Sequence, residues 1–505
     1  MSVLLVEIFR IVLGILSKDK KSLHSCLLVD RTWCERVVSI LWNDPFQFLK
    51  EPSAELIQTY ILCLSESDRA NLQGSGINLE NTPKHKPTFD YAVFLRHLKY
   101  INFYESSLVW LEKVMGHSNH GSKGFLVTKE LCKLFMNQSP AILSLNINTE
   151  NLNLPDNIDY VSIPCFSGAL KSLSQLQEFM CCGTYDKKKI FKAMSQSCKN
   201  IRNLSVDYYL DELSTAAPTD LANLIKSQNA LVEFKLVTCS RFLSKIIPAL
   251  KKQAKTLTNV EFRGVLFEDC VSFEALSACS NLESLIFFHC DNVMNDALEP
   301  LSTAYFPKLR KIVFHIFHMP PPSLGALICN NSDTLQELLL EWPPLDQEDP
   351  KIIEMIIEHC PNIIKFDAHL KTDQLRSLLS ALSQLEDLTV HSREPLLADG
   401  FLPQLGQLIP PNLRILNVRA IWSFNPESLK QFLDHCIAPL EYIGLRECYA
   451  LTDEHLEVLA AYAEKGTLKH LNIKVATRIT REGLINARKV IDRIEHNEVL
   501  TMENK

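Results

Sequence analysis

An α/β solenoid, a curved parallel sheet inside and helices outside, standing behind a small three-helix head, is the fold class that this sequence predicts. Three observations predict it. A Leu-x-x-Leu-x-Leu pattern recurs thirteen times along the chain. Amphipathic helical stretches fill the intervals between its copies, and the stretch from Leu23 to Trp42 carries more apolar surface than so small a unit can bury against itself.

The pattern begins at Ile142, Leu176, Ile201, Leu231, Leu257, Leu282, Leu309, Leu335, Ile363, Leu385, Leu413, Leu440 and Leu468, a mean interval of about 27 residues. Leucine-rich repeats have periods of about 20 to 29 residues. One such repeat cannot bury its own leucines, so neighbours must stack, which places the strands side by side in parallel. Leu282-Glu-Ser-Leu285-Ile-Phe287-Phe-His-Cys290, Leu440-Glu-Tyr-Ile443-Gly-Leu445-Arg-Glu-Cys448 and Leu231-Val-Glu-Phe234-Lys-Leu236-Val-Thr-Cys239 show the complete form, with cysteine closing each copy. Pro350 to Cys360, Thr372 to Leu382 and Glu427 to Cys436 are predicted helices between strands. Cys198, Cys279 and Cys360 each stand three residues before a repeat start, where a thiol serves as a small apolar side chain at a tight turn.

The totals agree. At 505 residues, 46% hydrophobic and 22% charged, the chain has the composition of a globular protein with a large core. A formal net charge of −7 gives no general attraction to nucleic acid or to an anionic membrane, and neither is expected as the main partner. Sixteen cysteines spread over such a length, with no Cys-x-x-Cys, point to free thiols rather than to zinc or disulfides. The stretch from Ser2 to Leu16 has an apolar core, but Glu7 and Arg10 interrupt it and no basic segment precedes it, so an amphipathic helix is expected rather than a secretory leader. No apolar run is long enough to span a bilayer, and a cytoplasmic or nuclear location is expected.

In the head, Leu4 to Leu16 reads as a helix buried on most sides, Ser17-Lys18-Asp19-Lys20-Lys21 as a charged turn, and Ser22 as the cap of the next helix. Here the residues carry a resemblance. Leu4-Leu5-Val6-Glu7-Ile8-Phe9, followed by Val12-Leu13 and Leu16, resembles the F-box opening Leu-Pro-x-Glu-Ile-Leu-x-x-Ile-Phe-x-x-Leu, with Leu5 in place of proline. Ser22-Leu23-His24-Ser25-Cys26-Leu27-Leu28-Val29-Asp30-Arg31-Thr32-Trp33 is similar to the family's Ser-Leu-x-x-Cys-x-Leu-Val-Asn-Arg-x-Trp, with Asp30 as the departure, and Leu41-Trp42 closes the motif. Together with the cysteine-containing repeats, the chain resembles the F-box and leucine-rich-repeat proteins of filamentous fungi. That resemblance implies that the head docks on a Skp-family linker, and through it on a cullin, with Leu4, Leu5, Ile8, Leu23, Cys26, Val29 and Trp33 as the apolar docking surface.

The domain organisation expected is a head over 1–45, a helical linker over 46–139, a solenoid of about thirteen repeats over 140–482, and a cap or tail over 483–505. Within the linker, Ser53 caps a helix bearing Leu56, Ile57, Tyr60, Ile61 and Leu64, and Phe94 to Leu98, Leu108 to Val114 and Thr128 to Met136 continue helical patterns. Gly74-Ser75-Gly76 and Pro83 to Pro87 mark a loop. His117-Ser118-Asn119-His120 reads as a polar loop, since no cysteine or carboxylate stands at ligand spacing.

Side chains alternate along a strand, so residues flanking the buried leucines face the concave side. They are acidic early, at Glu178, Asp207, Glu233 and Glu261, and become basic late, at Lys365, His369, His391, Arg419, Arg446, His470 and Lys474. Arg419, Arg446 and Lys474 hold corresponding positions in the last three repeats and are expected to form a stripe. With His470 and Phe288 they are the candidate target-binding residues, Ile286, Val313 and Leu339 standing near Phe288. His315 and His318, three apart on a strand, face opposite sides and are not expected to share an ion. Gly-x-Ser-x-Gly, Walker-type and His-Glu-x-x-His motifs do not occur, so no catalytic residue, cofactor or metal is assigned. The resemblance implies a non-catalytic subunit of a Skp–cullin–F-box ubiquitin ligase that recruits targets through its repeats. A repeat scaffold with a degenerate F-box is the alternative.

Overall fold

The structure is a computed structural model describing residues 11–79, 82, 85–116, 120–150, 152, 161–183, 187–208, 217–270, 272–318, 320–342, 351–474, 476 and 478–496. The chain divides into two compact units, Met1–Leu257 and Thr258–Lys505.

The first unit opens with helical residues 11–16, then α1 (Lys20–Leu27) and α2 (Arg31–Leu41). Leu13, Leu23 and Val37, one from each segment, form the core of this head, and Cys26, Leu27, Trp33 and Leu41 pack around it. The cap of α1 is not Ser22 but Asp19, whose carboxylate accepts from the backbone N–H groups of Lys21 at 3.0 Å and Ser22 at 3.2 Å. A carboxylate offers two acceptor oxygens one turn earlier, and Ser22 adds its own hydroxyl to it at 2.6 Å. These bonds, the Ser22 hydroxyl foremost, hold Asp19 below the usual carboxylate range. Asp30 caps α2 by accepting from Trp33 N–H at 2.8 Å. Asn and Asp are equally good caps, so this departure from the F-box pattern preserves the turn.

Behind the head lie α3 (Ala54–Leu62), capped by Ser53 as expected, α4 (Glu66–Gly74), α5 (Tyr100–Met115) and α6 (Gly121–Gln138). Trp42 packs its ring on Tyr60 and Tyr91, and Phe46 packs on Phe103, so the end of the head is seated in an aromatic core. Asn43 carbonyl accepts from Arg96 and His97 N–H, both at 2.9 Å, and Asp44 pairs with Lys99 at 2.9 Å. The head is thereby tied to the first strand of the sheet.

Five parallel strands follow one another in chain order in this unit: β1 (His97–Lys99), β2 (Ser144–Asn148), β3 (Glu178–Cys182), β4 (Asn203–Asp207) and β5 (Glu233–Val237). Ten more do so in the second unit: β6 (Asn259–Arg263), β7 (Ser284–Cys290), β8 (Lys311–Ile316), β9 (Glu337–Glu341), β10 (Lys365–His369), β11 (Asp387–Leu397), β12 (Ile415–Ser423), β13 (Tyr442–Arg446), β14 (His470–Asn472) and β15 (Arg493–Glu495). Helices connect them, as a parallel ladder requires. The fold is a leucine-rich-repeat α/β solenoid. Each of the thirteen sequence repeats starts its strand two residues after its first position.

Two strands fall outside the span 140–482. The segment expected to continue a helix from Phe94 to Leu98 is a single 3-10 turn, Tyr91–Phe94, followed by β1, and β15 lies in the segment expected to be a helical cap. Their repeats read Leu95-Arg-His-Leu98-Lys-Tyr100 and Ile491-Asp-Arg-Ile494-Glu-His496, in which the last apolar position is Tyr or His. A three-residue strand needs only its first two apolar residues.

The repeats are also stitched by polar groups. The Asn331 side chain accepts from Phe306 N–H at 2.6 Å and donates to the carbonyls of Leu327 at 2.8 Å and Ala304 at 3.3 Å. Gln228 and Gln253 do the same in the first unit, accepting from Ile201 and Leu231 N–H. Buried amides of this kind satisfy backbone groups that the turn leaves over. All sixteen cysteines are free, and Cys198, Cys279 and Cys360 are fully buried. Cys290 and Cys448 donate to the carbonyls of Phe262 and Ala420 in the preceding repeat, at 3.4 and 3.5 Å.

Candidate functional site

In the head, Leu23 is fully buried, so it is a core residue and not part of a docking face. Its place in α1 points it at Leu13 and Val37, which the pattern Ser-Leu-x-x-Cys does not reveal. Cys26 and Trp33 are half-buried against the same core. Val29 is 61% exposed, and with Leu28 at 77%, Ile15 at 77% and Ile11 at 58% it leaves a group of apolar side chains in solvent on a unit of some thirty described residues. Leu4, Leu5 and Ile8 lie outside the described residues.

In the second unit the register aligns one outward side chain per strand. Arg263 sits beside Phe288, Phe288 beside His315, and His315 beside Glu341. Ala368 sits beside Leu340, which sets His369 next to Glu341; His369 pairs with His391, His391 with Arg419, and Arg419 with Arg446. The alternation buries Leu338, Leu340, Phe366 and Ala368 beneath this row and leaves its members, His391 apart, open or partly open.

The row has three parts. At one end the Arg263 guanidinium lies 4.5 Å over the Phe288 ring and pairs with Glu261 at 2.7 Å. Phe288 therefore lies half-buried beneath a cation. In the middle, His315 Nδ1 is 3.4 Å from Glu341 Oε2, the rings of His369 and His391 are 5.1 Å apart, and His391 Nε2 is 2.7 Å from Asp367 Oδ1. Burial pulls His315 below the usual imidazole value, with His289 adding to the effect and Glu341 opposing it. At the other end, Arg419 and Arg446 are adjacent, and the Nε of each is buried with no hydrogen-bond partner among the described residues. Asn417 Oδ1 is likewise buried and unpaired; the missing side chain of Gly444 makes room for it, since a Cβ there would lie 2.2 Å from that oxygen.

Lys474 does not extend the arginine pair as a free cation. Glu495, on the strand missed in the sequence, takes Lys474 and His470, both at 3.2 Å, and Arg493 at 2.6 Å. The Lys474 hydrogen bond is the main reason that its carboxyl is held below the ordinary value. His470 also stands in another row, edge-on to Tyr442. Lys311 and Lys365 are matched across strands by Glu337 and Asp387, each at 2.7 Å. The stripe expected from sequence is thus narrower and reduces to Arg419 and Arg446.

His315 lies on β8, whereas His318 lies just past its end and not on the strand as expected; the two face different carboxylates, Glu341 and Asp291. His120 bonds the carbonyl of Gly116 at 2.8 Å, while 117–119 lie outside the described residues. A grouping that the sequence concealed is Glu341, His369 and His391, each offering one ligand atom, with the three atoms within 4.8 Å of one another. They come from three successive repeats, so no linear spacing announces them. No described helix is long and apolar enough to cross a membrane.

No family model matches the chain. The DNA repair protein rhp7 of Schizosaccharomyces pombe is 21% identical over 198 residues, which cover 37% of this chain and 33% of that protein, so the chain spans about a third of the length of this curated relative. Among solved structures, the complex of Rad7 and Elc1 in yeast is similar with a TM-score of 0.37 and 16% identity, covering 61% of this chain and 80% of that one. An internalin of Listeria monocytogenes is similar with a TM-score of 0.32 and 12% identity over 72% of this chain and 88% of that one.

Proposed function

We propose that this chain is a substrate-recognition subunit of a Skp–cullin–F-box ubiquitin ligase, acting in the cytoplasm or nucleus. The observation that carries the reading is the head. Its sequence resembles the F-box from Ser22 to Trp42, and Ile15, Leu28 and Val29 remain in water after its core of Leu13, Leu23 and Val37 is complete. Exposed apolar side chains of that kind on so small a unit suit a protein contact. The head supplies the dock, and the repeats supply a surface for a target whose lysine is brought near the charged ubiquitin carrier. The chain itself performs no chemistry in this reading, and its contribution is proximity.

On the repeats, Arg419 and Arg446 are the residues to which an acidic or phosphorylated target segment is assigned. Their buried Nε groups have no acceptor among the described residues, and a guanidinium suits carboxylate and phosphate oxygens. Charge reversal at both positions is expected to weaken target binding at least tenfold with little change in melting temperature.

Coexpression with a Skp-family linker tests the reading. The wild-type chain is expected to copurify with the linker, and Leu28→Arg with Val29→Arg to abolish this while the chain stays folded. Folded wild-type chain that captures no linker would favour the repeat scaffold with a degenerate F-box.

A further inference from the structure

We infer that Glu341, His369 and His391 form a binding site for a divalent transition-metal ion, zinc being the ion that their chemistry suits best. No part of this depends on the ligase reading. Strands in a sheet are about 4.8 Å apart, so outward residues on the first and third of three strands start about 10 Å apart. In this chain the ligand atoms of all three nevertheless lie within 4.8 Å of one another, which requires Glu341 and His391 to lean toward His369. Two imidazoles and a carboxylate are the donors that zinc takes, at about 2.0 to 2.2 Å, and small side-chain rotations close the remaining distance.

The surroundings point the same way. A histidine that binds a metal almost always gives its other ring nitrogen to a carboxylate, which fixes the tautomer and the ring plane. Asp367 stands in that place for His391, its Oδ1 2.7 Å from Nε2. On the far side, His315 Nδ1 stands 3.4 Å from Glu341 Oε2. His391 is 6% exposed, whereas Glu341 and His369 are only half-buried, so the three ligands sit at a wall with one side open. Three protein ligands with a free coordination position is the arrangement that allows a further donor, from water or from a bound protein, to complete the shell. The pair of carboxylates, Glu341 and Asp367, offsets the charge of the ion.

Such a site would place a fixed positive centre between the Phe288 end of the row and the arginine end. Imidazole and carboxylate donors favour zinc, nickel, cobalt and copper over calcium or magnesium, which take oxygen ligands.

The test is titration of the full chain with Zn²⁺ by calorimetry, with Co²⁺ absorption as a spectroscopic probe of nitrogen and oxygen ligation. The wild type is expected to bind one equivalent that His369→Ala, His391→Ala and Glu341→Gln each weaken by at least tenfold. Asp367→Asn, which leaves all three ligands in place, is expected to weaken binding by about 10- to 100-fold through the orientation of His391. His318→Ala, which alters the carboxylate pair at Asp291 instead, should leave the equivalent intact. Melting curves without metal separate loss of ligand from loss of fold, and Glu341→Gln, nearly isosteric and on the surface, decides the matter if an alanine variant is unstable. Equal affinity and stoichiometry in the wild type and in the His369→Ala, His391→Ala double variant would overturn the site.

Discussion

The head and the repeats treat their apolar residues in opposite ways. In the repeats the leucines of the recurring pattern are buried: Leu338 and Leu340 on β9, like Leu385 and Leu388 in and just before β11, are at most 1% exposed, while Leu397, outside the pattern, is 81% exposed. In the head, Leu28 and Ile15 stay 77% exposed although Leu13, Leu23 and Val37 close a core beside them. Apolar residues at the pattern positions of a repeat therefore report on folding, and binding in that region is to be sought among the outward side chains. The exposed apolar residues of the head are the ones to which the proposed function assigns a partner.

The largest effect should come from breaking this contrast at a buried repeat position. Leu338→Asp places an uncompensated charge where the side chain is fully buried and is expected to cost about 4 kcal/mol or more in a denaturant titration. Leu28→Arg exchanges one exposed side chain for another and should stay within about 0.5 kcal/mol. A similar cost for both would erase the distinction. Next in size is Asn331→Ala, which strips acceptor and donors from Phe306 N–H and from the carbonyls of Leu327 and Ala304, at an expected cost of about 2 to 3 kcal/mol in the same titration. Smaller still, Asp30→Ala removes the α2 cap and should cost about 1 kcal/mol, seen as faster amide exchange at the start of that helix.

The gentlest probe is chemical. Burial pushes the thiols of Cys279, Cys290, Cys360 and Cys448 up to about 12, so at pH 8 they hold almost no thiolate, whereas Cys165 is exposed. An alkylating reagent at that pH should label Cys165 in the native chain and reach the other four only after unfolding.

The strands were legible because the repeat obeys a simple rule. A Leu-x-x-Leu-x-Leu copy puts its second leucine one residue into the strand, and every such copy folded as a strand with that offset. What escaped was whatever depends on neighbours across the sheet. The strands β1 and β15 lack the third apolar residue, because at the ends of a ladder Tyr100 and His496 replace it. With β15 unseen, Glu495 was unseen, and Lys474 looked like a free cation. The approach of Glu341 to His369 and His391 follows from register between residues 50 positions apart, which no linear motif encodes. Leu23 was misplaced because a motif names residue types but not the side of a helix that its neighbours cover.

The division of labour between head and repeats is tested most directly by hydrogen exchange of the full chain with and without a Skp-family linker. New protection is expected over residues 11–42, with unchanged exchange at Arg419, Arg446 and the rest of the outward row. Protection on the row, or none in the head, would contradict it.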